Sequence, residues 1–310
     1  MRTITLSLIA AIVSALVLTG CGKAKESREP TVTVSLPPEA WLTSQIAGDR
    51  MRVNTLLPAG ANPETYDPTV SDIRRLAASD LFLVSGSLEF EKKVSGQLPE
   101  GLPVSDLSEG IELIYDTHGH AKGLAKGHGD GHEHGHGEEG HSHAYGDPHT
   151  WSSTKNARII VANILEALSE ADPDGKGYYE KNARRLTARI DSLDRAYTQR
   201  LGSEEGRTFL IWHPSLSYLA RDYGLRQLPL GMENKEQSVR SLKAVVDTAR
   251  KANPIVMFVQ PEYDTPSAAS MAREIGVRTV VINPLNPDWM GEMEATLDAL
   301  ASGKSEASDE

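Results

Sequence analysis

One cysteine, Cys21, occurs in 310 residues, so no disulfide can form within the chain and an oxidising compartment would add no covalent staple. An excess of basic charge is also missing. The formal net charge is −11, and an acidic surface argues against a nucleic-acid partner while remaining compatible with collecting cations. The Gly-x-Ser-x-Gly elbow of serine hydrolases is absent. One long apolar run exists, from Leu6 to Leu18, and it is too short to be a comfortable membrane-spanning helix.

That run has another reading. Met1-Arg2-Thr3 supplies a short positive start, and Leu18-Thr19-Gly20-Cys21 closes the run with small residues before the lone cysteine, which is the layout of a secretory signal peptide. The segment resembles a bacterial lipobox. The resemblance implies that residues 1–20 are removed, that Cys21 is lipidated to anchor the chain to a membrane, and that residues 21–30 form a polar tether. Loss of Arg2 with the leader takes the net charge to −12. The remaining 290 residues suit two domains or one large one.

What the chain has in abundance is histidine in one place. Eight of its ten histidines (His118, His120, His128, His132, His134, His136, His141 and His143) fall within residues 118–143. Neutral imidazole is the commonest protein ligand for zinc and other borderline metals, so this glycine-spaced array reads as an auxiliary metal trap. The tract is internal and interleaved with Asp130, Glu133, Glu138 and Glu139, which argues against a cloning tag. With eight glycines in 26 positions it cannot bury enough surface to offset its ordering entropy, and a disordered loop is expected. His132-Glu133-His134-Gly135-His136 matches the zinc-hydrolase pattern His-Glu-x-x-His by letter. That motif works only on a helix, which this run of glycines does not favour, so the match is read as chance and no enzyme is expected.

Elsewhere, strand-like and helix-like segments alternate. Strands are expected at Thr31–Leu36, Arg52–Leu57, Leu81–Val84 and around Leu102–Val104, then at Phe209–Trp212, Leu225–Leu228, Ile255–Val259 and Thr279–Ile282. Helices are expected at Pro38–Ala47, Thr69–Ala78, Leu88–Val94, Ser153–Glu170, Ser217–Tyr223, Ser238–Lys251 and Pro266–Ile275, with Thr69 and Asp72 at capping-box spacing. Such alternation predicts an α/β fold: two α/β lobes with parallel sheets flanked by helices, residues 31–177 and 202–302, followed by a short disordered tail at 303–310. Between them, Tyr179, Ala183, Leu186, Ile190, Leu193, Tyr197 and Leu201 recur at steps of three and four without an intervening glycine or proline. The spacing predicts one helix over 178–201, about 36 Å long, that joins the lobes as a rigid spine and limits hinge motion.

The order of several strings now carries a resemblance. The lipobox, GANPETYDP followed by SDIRRLAASDLFLVSG, the histidine loop leading to DPHTW, then WHPSLSYLARDYGL and FVQPEYDTPSAASMAREIGVRTVVINPL together resemble the zinc- and manganese-binding substrate-binding proteins of bacterial ABC importers, the ZnuA and TroA type. The resemblance runs from about Val32 to Leu300 and implies a metal site in the cleft between lobes. It places ligands at His149 and His213, each the one histidine of a structured-looking stretch at an element boundary. Glu64 stands where the family usually has histidine. A carboxylate can bind zinc but is harder than imidazole and leaves manganese open as cargo. For a fourth ligand the resemblance offers only a weak substitute, Asp288, with Glu262 or a water as alternatives.

The function so implied is a lipid-anchored, monomeric receptor that captures Zn2+ outside the cytoplasmic membrane and delivers it to an ABC permease and its ATPase. A manganese receptor of the same type, and a zinc-storing surface lipoprotein or adhesin without a transporter, are the rival expectations.

Overall fold

The computed structural model describes residues 29–115, 146–230, 239–261 and 265–302. Cys21, the histidine tract at 118–143, Glu262 and the tail at 303–310 lie outside the described residues. The first sheet contains β1 (Thr31–Val34), β2 (Arg52–Thr55), β3 (Leu81–Val84) and β4 (Val104–Asp106), all parallel, in the order β2-β1-β3-β4. The second contains β5 (Thr208–Ile211), β6 (Arg226–Pro229), β7 (Met257–Val259) and β8 (Thr279–Val281), also all parallel, in the order β6-β5-β7-β8. Central strands such as β3 and β5 are buried along their whole length and apolar except for Thr208, whereas the edge strands β2, β4 and β8 alternate towards solvent. Burial on both faces is what parallel sheets covered by helices require.

The first sheet is accompanied by α1 (Pro37–Ala47), α2 (Val70–Ala77) and α3 (Glu89–Ser95). Thr69 and Asp72 close the expected capping box at the start of α2. After the first sheet come α4 (Thr154–Ala171), started by the Ser153 side chain, and α5 (Lys176–Leu201), which together bridge the two sheets. The second sheet carries α6 (Ser217–Asp222), α7 (Val239–Lys251) and α8 (Thr265–Ile275), and the described chain ends in α9 (Trp289–Ala301). Every strand and helix expected from the sequence is present, with ends shifted by no more than two residues, the usual uncertainty of such boundaries.

Helix α5 is 26 residues long, and all seven of its expected apolar positions are buried. It packs on α1, α4 and α9, so its stripe is shared between both halves of the molecule. Helix α9 is an addition to the expected elements. Its signal was an Asp288 cap followed by Trp289, Met293, Leu297 and Leu300, all four buried. One continuous apolar core runs through the first sheet, the bridging helices, α9 and one face of the second sheet. Phe209, Ile211 and Phe258 point into it, while the alternate residues Leu210, Met257 and Val259 join a smaller cluster under α7 and α8. Among the described residues no helix is long and apolar enough to cross a membrane.

Candidate metal centre

In both sheets the strand order reverses between the first strand of the lobe and its third, the position at which open α/β sheets bind ligands, outside the carboxyl ends of their strands. His213 lies two residues beyond the end of β5, the strand beside that reversal in the second sheet. Its ring is 7 % exposed. Burial, and then the neighbouring His149 ring, hold its pKa down at about 3 against the opposing pull of Asp147, so the free ring is neutral at physiological pH. A metal needs that form, because only neutral imidazole offers a lone pair.

His149 arrives by a different route. Gly146, with φ 79°, turns the chain into the segment, and a Cβ there would lie 3.0 Å from the Cβ of Leu113, so a side chain at this position would be strained as well as crowded. Asp147 then folds back on the segment, its Oδ1 accepting from the His149 backbone N–H at 2.9 Å and sitting 2.7 Å from ring Nδ1. Burial pushes the Asp147 carboxyl up, but the charge and hydrogen bonds of His149 outweigh it and leave its pKa below the usual carboxylate range. A carboxylate on Nδ1–H fixes the tautomer, orients the ring and leaves Nε2 bare for a ligand. Sequence reasoning assigned Asp147 no role, although its spacing two residues before the histidine was a usable signal.

Glu64 completes the group from the first lobe, in the loop between β2 and α2. Asn62 Oδ1 accepts from the Glu64 backbone N–H at 2.8 Å, a local turn that presents the exposed carboxylate to the cleft. His213 Nε2 lies 3.2 Å from His149 Nε2 and 3.3 Å from Glu64 Oε1, and all three candidate ligand atoms fall within 4.8 Å of one another. Two ligands about 2.05 Å from a tetrahedral ion stand about 3.3 Å apart, so the two short separations fit a zinc-sized coordination edge. Three ligand atoms leave one tetrahedral position for water or a further group.

Not every expected ligand is brought here. Asp288 is outside this group: it stands at the start of α9, where its side chain accepts from the Gly291 N–H at 3.2 Å. A carboxylate stabilising a helix N-terminus has the favourable end of the helix dipole as its partner, which accounts for its place there. Among the described residues, Glu64, His149 and His213 form the one group of three that could hold a metal ion.

Two parallel-sheet lobes bridged by a long helix, with three candidate ligands brought together between them, define a bilobal binding protein with a metal-competent site. The chain belongs to the zinc-uptake complex component A (periplasmic) family, ZnuA, whose pattern matches residues 32–303. It is 32 % identical over 266 residues to the high-affinity zinc uptake system protein ZnuA of Bacillus subtilis, covering 82 % of this chain and 78 % of that one. It is 30 % identical over 308 residues to the zinc-binding lipoprotein AdcA of Streptococcus pneumoniae, covering 95 % of this chain but 60 % of the relative, so it spans little more than half of that protein. Among solved structures, a deletion mutant of ZnuA with zinc bound superposes with a TM-score of 0.75 at 28 % identity, covering 90 % of this chain and 99 % of the other.

Proposed function

We propose that this chain is an extracytoplasmic receptor that binds Zn2+ in the inter-lobe cleft and delivers it to an ABC permease for uptake. The observation that carries this reading is the convergence of two buried imidazoles and one carboxylate within 4.8 Å, with the tautomer of one ring set by a buried aspartate. Two nitrogens and one oxygen at these separations suit zinc, which takes imidazole readily, better than manganese, whose usual ligands are oxygens. The names of the relatives support the same cargo: one is a zinc uptake protein and one a zinc-binding lipoprotein. On this reading Cys21 is lipidated and holds a monomeric receptor at the membrane. The histidines of residues 118–143 serve as a weaker antenna that raises the local zinc concentration.

Capture follows from the side chains. His213 presents a neutral nitrogen, so zinc need not displace a proton from it above about pH 3. Glu64 then approaches from the opposite lobe and contributes charge. The test is a zinc titration by calorimetry, in competition with a chelator, on protein lacking the leader and residues 118–143. One tight site should remain, several weak ones should vanish, and manganese should bind less tightly. Absence of zinc binding at micromolar concentration would move the site into the deleted loop and end the cleft assignment. Tighter binding of manganese would change the cargo.

A further inference from the structure

On the reading that His149, His213 and Glu64 hold the ion, we propose that Gln260 is a positioning residue for the metal centre, fixing the backbone of His213 without touching the ion. The ladder between β5 and β7 pairs Leu210 with Met257 and Ile211 with Phe258, and a last rung runs from the Trp212 N–H to Phe258 O at 3.0 Å. Beyond it the two strands diverge. At that point the fully buried Gln260 side chain takes over: its Oε1 accepts from the His213 N–H at 3.3 Å, and its Nε2 donates to His213 O at 2.7 Å and to Ser215 Oγ at 2.9 Å. One amide thus satisfies both backbone groups of the ligand residue, acting as a further rung of the sheet made from a side chain.

The placement has a counterpart on the other flank of β5. Gln227, within β6, accepts from the Leu216 N–H at 2.8 Å and donates to Ser217 Oγ at 2.8 Å. The loop after β5 is therefore fastened by a glutamine from each neighbouring strand, but Gln260 alone of the two grips His213. A ligand residue needs its donor atom held to about half an ångström, and two bonds to the backbone on either side of its Cα supply that control. Nothing in local sequence marks Gln260, which sits 47 residues from its partner.

The experiment compares four variants of the mature full-length chain. Tight-site zinc affinity is measured against a competing chelator, and Co2+ serves as a spectroscopic probe of ligand geometry. Gln260→Met keeps volume and loses all three bonds, and should weaken zinc by about tenfold or more, the range typical of a residue supporting a ligand, while altering the visible absorption of bound cobalt. Gln260→Asn, polar but too short to reach both backbone groups, should act in the same direction and supplies the reading where the methionine variant does not fold. Gln227→Met loosens the same loop away from the ligand, and should lower Tm while leaving zinc affinity within about threefold and the cobalt spectrum unchanged. The proposal is overturned by parent-like affinity and spectrum in the folded Gln260 variants, or by an equal affinity loss in Gln227→Met. His213→Ala separates the two levels: if it binds as the parent does, the metal centre itself is misassigned.

Discussion

The loop that carries Glu64 and the segment that carries His149 both follow strands of the first sheet, yet they are fastened to different parts of the molecule. The Glu64 loop makes short-range bonds, from Thr65 N–H to Asn62 O at 3.3 Å and from Tyr66 Oη to Leu56 O at 3.4 Å, and its exposed carboxylate reaches across to His213 Nε2 at 3.3 Å. Around His149 they reach into the second lobe. Tyr218 Oη donates to Asp147 O at 2.7 Å and Trp151 Nε1 donates to Pro284 O at 2.8 Å, while Trp289 Nε1, on α9, which packs on α1 and α5, donates to Trp151 O at 2.8 Å. His149 is thereby tied to the body that carries His213, although it precedes the bridging helices in sequence. The two imidazoles are thus bonded into one region, and Glu64 is the candidate ligand that comes from the other lobe. On the proposed reading, that division predicts that the imidazole pair sets the affinity and that Glu64 governs release.

The hardest test of that division is removal of either imidazole. His149→Ala and His213→Ala should each lower zinc affinity by about a hundredfold or more, roughly 2.8 kcal/mol, in a chelator competition. A loss of only a few-fold from either would mean that the pair is not the core of the site. Next in size is Asp147→Asn, which keeps the shape but no longer offers a charged acceptor to His149 Nδ1–H. A loss of about 10–100-fold is expected, and parent-like binding would show that the tautomer needs no carboxylate.

Glu64→Ala should cost about tenfold, near 1.4 kcal/mol, chiefly through faster dissociation in stopped-flow chelation. Glu64→His should restore or improve zinc affinity and reduce any manganese affinity, because imidazole is the softer ligand. If the alanine variant bound zinc more weakly than the two histidine variants, the comparison would be inverted.

The smallest effect on binding is expected from Glu39, in the first turn of α1. Its fully buried carboxyl accepts from Ser85 Oγ at 2.5 Å, and burial, helped by nearby Glu91 and Asp106 against that hydrogen bond, raises its pKa to about 8. Because the folded value lies above the unfolded one near 4.5, the folded chain keeps a proton that the unfolded chain has lost. The stability contribution is full below about pH 4.5 and is lost as pH rises through 8. The Tm of the metal-free protein should therefore carry a downward component over that range, and Glu39→Gln should remove it while leaving zinc affinity unchanged. An identical pH profile in the variant would sink this assignment.

Much of this architecture was legible because it depends on periodicity. Apolar runs bounded by turns announce buried parallel strands, Thr69 and Asp72 announce a capped helix, and the seven-residue stripe announces the spine, since each is decided by neighbours in the chain. Helix α9 carried a comparable pattern from Asp288 to Leu300. Asp288 itself shows the limit of motif transfer, because a carboxylate near an expected ligand position is also a good helix cap.

Residue types and spacing by themselves determined a two-lobe α/β protein, and the resemblance of its strings to metal-binding receptors pointed to Glu64, His149 and His213 as candidate ligands. Tertiary structure alone decided that these three meet, with nitrogen to nitrogen at 3.2 Å and nitrogen to oxygen at 3.3 Å. It also decided that the His149 segment is bonded to the second lobe and that Gln260 grips His213. The physical reason is range: helices and strands are set by contacts a few residues apart, while the site is assembled by contacts between residues 47 to 149 positions apart, which exist only after the sheets have formed.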